Sequence, residues 1–217
     1  MNLMQTLKSA LVPLLMLGWA SAARAEILYN NTTTDTGDTF FYFNGSYTAL
    51  GDQIQLASAG TALQAQVEMF NGGDAGTFDA ELAFFSVGTP VGALLGSFDL
   101  TGISSVGLDV IDMTFNLGAG LVVPQNVIFT VTVSNMSNSN MILGVDMFEP
   151  PTVGSSDPTF MIDESGGVYS QLGTVDEDVY FQLSGTANAS VPEASSVVLL
   201  GIGLVGLGLA QRSRAQG

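Results

Sequence analysis

The sequence predicts an all-β fold, an antiparallel β-sandwich of jelly-roll or immunoglobulin-like kind, set between an N-terminal signal peptide and a C-terminal transmembrane helix. Three observations predict it. Apolar and polar residues alternate with period two through the middle of the chain. Glycine- and proline-rich turn signals separate the alternating runs. Two uninterrupted apolar stretches lie one at each end.

The N-terminal stretch carries Lys8, then an apolar run from Ala10 to Ala20 that contains Pro13, then a small-x-small ending at Ala23-Arg24-Ala25. Charged start, short apolar centre and small-residue end are the three regions of a secretory signal peptide. The run is shorter than the roughly 20 residues that a comfortable membrane span takes. The expected boundary is therefore a signal peptide over 1–25, with cleavage between Ala25 and Glu26 directed by Ala23 and Ala25.

From Glu26 to Leu183 the alternation argues for strands. Leu63, Ala65, Val67 and Met69 share one face, against Gln64, Gln66 and Glu68 on the other. Phe78, Ala80, Leu82 and Phe84 form a second inward row with Asp79 and Glu81 outside; Val127, Phe129, Val131 and Val133 form a third. Val179, Phe181 and Leu183 form a fourth, opposed by Tyr180, Gln182 and Ser184. One buried face and one wet face is what antiparallel sheets packed face to face require. Turns are expected at Asn71–Asp74, Gly88–Pro90, Leu117–Gly120 and Ser165–Gly167, giving about nine or ten strands. Glu149–Pro158 lacks periodicity and reads as a long loop at one end of the sandwich. The small, polar stretch 184–190 reads as a spacer after a domain spanning 26–183.

The tail, 191–217, has three parts: Val191-Pro192-Glu193-Ala194, an apolar, glycine-rich stretch that makes a membrane helix over about 194–210, and a basic end carrying Arg212 and Arg214. Arginines after such a stretch stay on the cytoplasmic side, which leaves the preceding domain outside. A Val-Pro-Glu start, a short glycine-rich apolar helix and a terminal arginine cluster resemble the PEP-CTERM sorting signal of Gram-negative bacteria, whose fourth position is proline where Ala194 stands here. The resemblance implies recognition and processing by a membrane-embedded exosortase. It also implies delivery to the cell surface or to an exopolysaccharide matrix. Val191, Pro192 and Glu193 would be the sorting motif, and Arg212 and Arg214 its basic stop. The stretch from Gly76-Thr77-Phe78-Asp79-Ala80, through Leu94–Phe98, to Leu121-Val122-Val123-Pro124 is similar to ectodomains that recur among proteins bearing this tail. That likeness implies architecture and no particular chemistry.

Charge narrows the function classes. The chain has 217 residues, 20 acidic and 4 basic, for a formal net charge of −16. The four basic residues are Lys8, Arg24, Arg212 and Arg214, so Glu26–Ser190 contains no Lys, Arg or His. Such a domain repels phosphate backbones, and a nucleic-acid partner is not expected. Cysteine is absent, which removes disulfides, thiolate catalysis and cysteine-bound metals. Without His, Lys or Cys the usual bases for an activated hydroxyl are missing, and no catalytic residue is expected.

Two lesser readings use carboxylates alone. Oxygen ligands on turns suit calcium, and Asp176, Glu177 and Asp178 are the weak candidates, with Asp163-Glu164 and the Asn71–Asp74 turn behind them. A calcium- or carbohydrate-binding adhesion module would use such a site or the loop from Glu149 to Asp157. Asp79 and Glu81, two residues apart on one strand face, meet the bare requirement for glycoside hydrolysis. The only tryptophan lies in the signal peptide, at Trp19, so no Trp platform for sugar is available in the domain. The expected partners are thus signal peptidase, exosortase, the membrane and an exopolysaccharide, with no resident cofactor.

Overall fold

The computed structural model describes residues 25–41, 48–163, 169–174 and 178–188. The expected signal peptide apart from Ala25, the turn at Ser165–Gly167, the acids Glu164, Asp176 and Glu177, and the whole expected tail lie outside the described residues. Among the described residues the chain is built from strands, and no helix there is long and apolar enough to cross a membrane.

The strands are β1 (Glu26–Asn30), β2 (Asp35–Phe41), β3 (Ala49–Gln55), β4 (Gly60–Asn71), β5 (Gly76–Val87), β6 (Val91–Ser105), β7 (Asp109–Val123), β8 (Asn126–Ser134), β9 (Leu143–Phe148), β10 (Ser155–Asp163), β11 (Tyr169–Thr174), β12 (Asp178–Val179) and β13 (Phe181–Ala187). Their pairings are antiparallel. One sheet runs β11-β10-β3-β8-β5-β6. The other places β4 at its centre, bordered by β7, β13 and β9; β1 pairs β13, and β2 and β12 pair β9.

The inward rows expected from alternation are where the two sheets meet. Phe78, Ala80, Leu82 and Phe84 of β5, and Val127, Phe129 and Val131 of β8, share one core with Val67 and Met69 of β4 and Phe181 and Leu183 of β13. The Phe129 and Phe181 rings stack at 3.9 Å with 11° between planes, one from each sheet. Tyr29 and Phe84 flank Phe181 at 6.1 and 6.2 Å. Fully burying such side chains contributes roughly 1.5–3 kcal/mol apiece, and without disulfides this layer carries the stability.

The structure corrects four local expectations, and the described residues form thirteen strands against the nine or ten expected. Leu117–Gly120 is not a turn but the interior of β7. Asn116 pairs Gln64 and Leu121 pairs Ala62, so Leu117–Gly120 oppose Leu63 alone in a wide bulge. Gly118 and Gly120 take φ of +62° and +99°, and a Cβ on Gly120 would lie 2.4 Å from Thr61 Cγ2. The glycines therefore signal a kink in one strand, because the alternation on both sides serves the same partner. Leu63, expected inward, is that bulge's opposing residue and is only half-buried.

The long loop shortens as well. Ser155 and Ser156 open β10 by pairing with Gln55 and Ile54 of β3, so the loop covers 149–154. Small polar residues hide a strand here because their partner supplies the pairing. The same happens at the expected spacer. Ser184, Gly185, Thr186 and Ala187 remain in β13, paired with Gln64, Ala62, Thr61 and Gly60, and the domain extends past Leu183. Gly185 is required by closeness, since a Cβ there would sit 2.1 Å from the Thr61 carbonyl oxygen.

Candidate functional site

Carboxylates gather in three places, and each follows from strand register. The first is the outer face of the six-stranded sheet. In β5, Asp79 and Glu81 point away from the core because Phe78, Ala80 and Leu82 point into it. Register sets Glu81 beside Asp99 of β6 and Thr132 of β8, and Asp79 beside Ser134. With Thr101 and Asn135 these residues line an open groove of about 340 Å³. The Asp79 carboxylate accepts hydrogen bonds from Asn135 Nδ2 at 2.6 Å and Gly102 N–H at 2.7 Å. The Asn135 bond, then the Gly102 bond, hold its carboxyl below the usual range. Asp79 is thus an ionised anchor for the β6 bend and the end of β8. The groove offers carboxylates and hydroxyls to a polar ligand, without an aromatic ring in its lining.

The second place is the outer face of the other sheet. Glu68 of β4 stands opposite Asp112 of β7, and Asp146 of β9 lies nearby. Partial burial, then the charges of Asp146 and Asp112, a hydrogen bond with Asp112, and Asp35 together push the Glu68 carboxyl up to about 7. Asp146 is 7% exposed and accepts from Thr39 Oγ1 at 2.6 Å. Burial raises its pKa more than that bond lowers it. Tyr180 shares the patch, and burial followed by the Glu68 charge raises its phenol. With no basic side chain in the domain to offset them, burial first and mutual repulsion second raise the pKa of each of these groups.

The third place lies between the sheets. Asp178, singled out in the sequence, is the sole described member of the Asp176–Asp178 triplet, and it faces inward at 4% exposure. Ser156 Oγ donates to its Oδ2 at 2.5 Å, and the Asp52 carboxyl of β3 is hydrogen-bonded to it. Asp52 is 2% exposed and accepts the Gln53 N–H at 2.6 Å. Burial raises the Asp178 carboxyl against the lowering effect of both partners. Sequence reasoning missed Asp52 and Ser156. Neither has a local signature, and only strand topology joins them to Asp178.

Asn31 fixes the junction that presents Asp178. It is fully buried, donates from Nδ2 to the Val179 carbonyl and accepts the Phe181 N–H, both at 2.7 Å. Those bonds span Tyr180, where β12 leaves β9 and continues as β13 along β4. Asn71 does the same for the turns at the other end of β4: it bonds Ser105 Oγ, the Asp74 carbonyl, and the Gly73 and Ile142 N–H groups. Among the described residues no group of three or more carboxylate, histidine or cysteine side chains is gathered closely enough to hold a metal on its own.

The described residues thus define a class: an acidic, all-β domain of two packed antiparallel sheets, with polar groups in a surface groove and one buried carboxylate pair. The segment after this domain is identified by its sequence. Residues 190–214 match the PEP-CTERM protein-sorting motif, so the chain carries the sorting signal of an exported, exosortase-targeted protein. No curated protein matches the chain in sequence. Among solved structures, one of infectious bursal disease virus, Gt strain, is similar at 12% identity with a TM-score of 0.35, over 89% of this chain and 51% of that one. Another, of the Gx strain, gives 10% identity and a TM-score of 0.29 over 83% and 47%. This chain therefore spans about half the length of each viral chain.

Proposed function

We propose that this is a non-enzymatic β-sandwich protein of the cell surface or extracellular matrix, held by its tail until exosortase processing and associated with the envelope or an exopolysaccharide. The observation that carries the reading is the sorting motif at 190–214, following an acidic domain whose last described strand ends at Ala187. In this reading signal peptidase cuts after Ala25, guided by Ala23. The apolar helix over about 194–210 lodges in the membrane, and Arg212 and Arg214 keep its end cytoplasmic. Val191, Pro192 and Glu193 then present the cleavage motif outside. A dense negative charge suits a hydrated matrix, where it keeps copies apart and soluble.

The test is fractionation of host cells that produce the intact chain or one lacking 191–217. The intact chain should reach the surface or matrix fraction, and the truncated chain should instead stay in the periplasm or pass freely into the medium. Equal matrix recovery of both would overturn the reading.

A second reading, a carbohydrate-binding adhesion module, is favoured by the groove of Asp79, Glu81, Asp99, Thr101, Thr132 and Ser134, whose oxygens match sugar hydroxyls. Glycan binding lost on Glu81→Gln with an unchanged melting temperature would select it. Glycan turnover lost in that variant would instead select the carboxylate hydrolase.

A further inference from the structure

Four strands from both sheets bring oxygen atoms to one buried place: Tyr29 of β1, Asp52 of β3, Ser156 of β10 and Asp178 of β12. Two carboxylates that are 2% and 4% exposed lie in hydrogen-bond contact there. Beside both of them is the Tyr29 hydroxyl, which is buried and makes no well-formed hydrogen bond. Ser156 lies close to that phenol, but its own proton goes to Asp178.

A buried carboxylate needs a countercharge or a set of donors. No side chain between Glu26 and Ser190 can supply the charge, because none is basic. The Ser156 hydroxyl and the Gln53 N–H donate to the pair but are neutral, so a countercharge is left to solution, as protons or a metal ion. One proton shared by the pair leaves one negative charge between the sheets and two leave none, but in either case the Tyr29 hydroxyl stays as it stands. A divalent ion cancels both charges, and the Tyr29 O–H can then donate to a carboxylate oxygen or to water on the ion. The side-chain ligand atoms that Asp52, Asp178, Ser156 and Tyr29 bring are all oxygen, the set a hard cation takes.

We propose that Asp52 and Asp178 bind one divalent cation, calcium by its ligand chemistry, between the two sheets, with the Ser156 hydroxyl as a further oxygen ligand. Two carboxylates alone are a thin set, so backbone carbonyls and water complete the six to eight oxygens calcium takes. Glu149, whose charge already acts on Asp178, adds to the negative field. The site would tie β3 and β10 of one sheet to β12 of the other. It does not depend on export or on tail processing.

The test is thermal unfolding of the full-length chain in detergent at pH 7, after chelator treatment, with and without millimolar calcium chloride, against sodium chloride of equal ionic strength. An ion bound only by the folded state at 100-fold excess over its dissociation constant should raise the melting temperature by roughly 5–10 °C. Asp52→Asn and Asp178→Asn should each abolish the rise while unfolding at no lower temperature in chelator, since each removes one of two repelling charges and keeps the shape. Asp38→Asn, on the exposed surface of β2, should keep the full response. If the asparagine variants fail to fold, binding of radioactive calcium to the wild-type chain decides: about one ion per chain supports the site, and none overturns it. A rise that sodium chloride matches, or one that survives in the Asp52→Asn/Asp178→Asn double variant, also overturns it.

Discussion

Replacing Phe181 with alanine removes the ring that joins the two sheets. Phe181 is fully buried, stacks on Phe129 at 3.9 Å and is flanked by Tyr29 and Phe84. Truncating a buried phenylalanine costs about 3–5 kcal/mol, from lost transfer free energy and the cavity that remains. Loss of a stacked aromatic pair adds about 0.5–1.5 kcal/mol, so the upper part of that range is expected, about 4–5 kcal/mol. Total stability of a domain is about 5–15 kcal/mol, so the variant should fold but stand near its threshold. With a urea slope of about 2 kcal/mol per molar, the unfolding midpoint should fall by roughly 2 M at unchanged slope. Phe129→Ala should cost a similar amount. The double variant should cost less than the sum, by about 1 kcal/mol or more, because both substitutions empty one shared space. Val122→Ala, 70% exposed on β7, is the control and should shift the midpoint little. If Phe181→Ala moves the midpoint no more than Val122→Ala, or if the two phenylalanine variants add without coupling, the sheets do not share the core described here.

Further predictions rest on single features. Glu68 holds a proton up to about pH 7 in the folded state against an ordinary value of 4.5, so the folded chain binds more protons than the unfolded chain between those values. Stability contributed there is present at low pH and is lost as pH rises from about 4.5 to about 7; Glu68→Gln should flatten that decline and raise the melting temperature at pH 8, with the solvent-screened patch keeping the effect modest. Asn31→Ala should destabilise by about 2–4 kcal/mol, because it strands the buried Val179 carbonyl and Phe181 N–H together; denaturant unfolding measures it. Gly120→Ala should lower the melting temperature by several degrees, since the residue combines φ of +99° with a Cβ position 2.4 Å from Thr61 Cγ2.

Much of this fold can be read from alternation. The inward rows of β5 and β13 match the buried residues because each strand has a wetter and a drier face, the arrangement that makes period two visible. In β8, by contrast, Ile128 and Thr130 on the opposite face are buried as well. Reading failed where composition and pairing diverge. Gly118 and Gly120 look like a turn, yet the residues on both sides pair with β4, and only a partner strand can tell a bulge from a reversal. Ser155, Ser156 and Ser184–Ala187 carry no apolar signal of their own, and their strands exist through β3 and β4. The carboxylates show the same limit. Asp79 and Glu81 are visible as a pair because two residues on one strand face are neighbours by necessity. Asp178 is visible as an acid in a triplet, but Asp52 stands far off in the sequence and reaches it only across the two sheets. The absence of any basic residue in the domain, plain in the sequence, acquires its structural meaning only where carboxylates are buried.

The most direct test of sorting by the tail is the intact mass of the protein recovered from host cells, measured on the matrix or surface fraction and on the membrane fraction. Export with processing predicts a released species that begins at Glu26 and ends close to the Val191–Ala194 motif, with any membrane form longer by the tail. A single species found only in membranes and still carrying Arg212 and Arg214 would contradict it, since the tail would then be a permanent anchor and not a processed sorting signal.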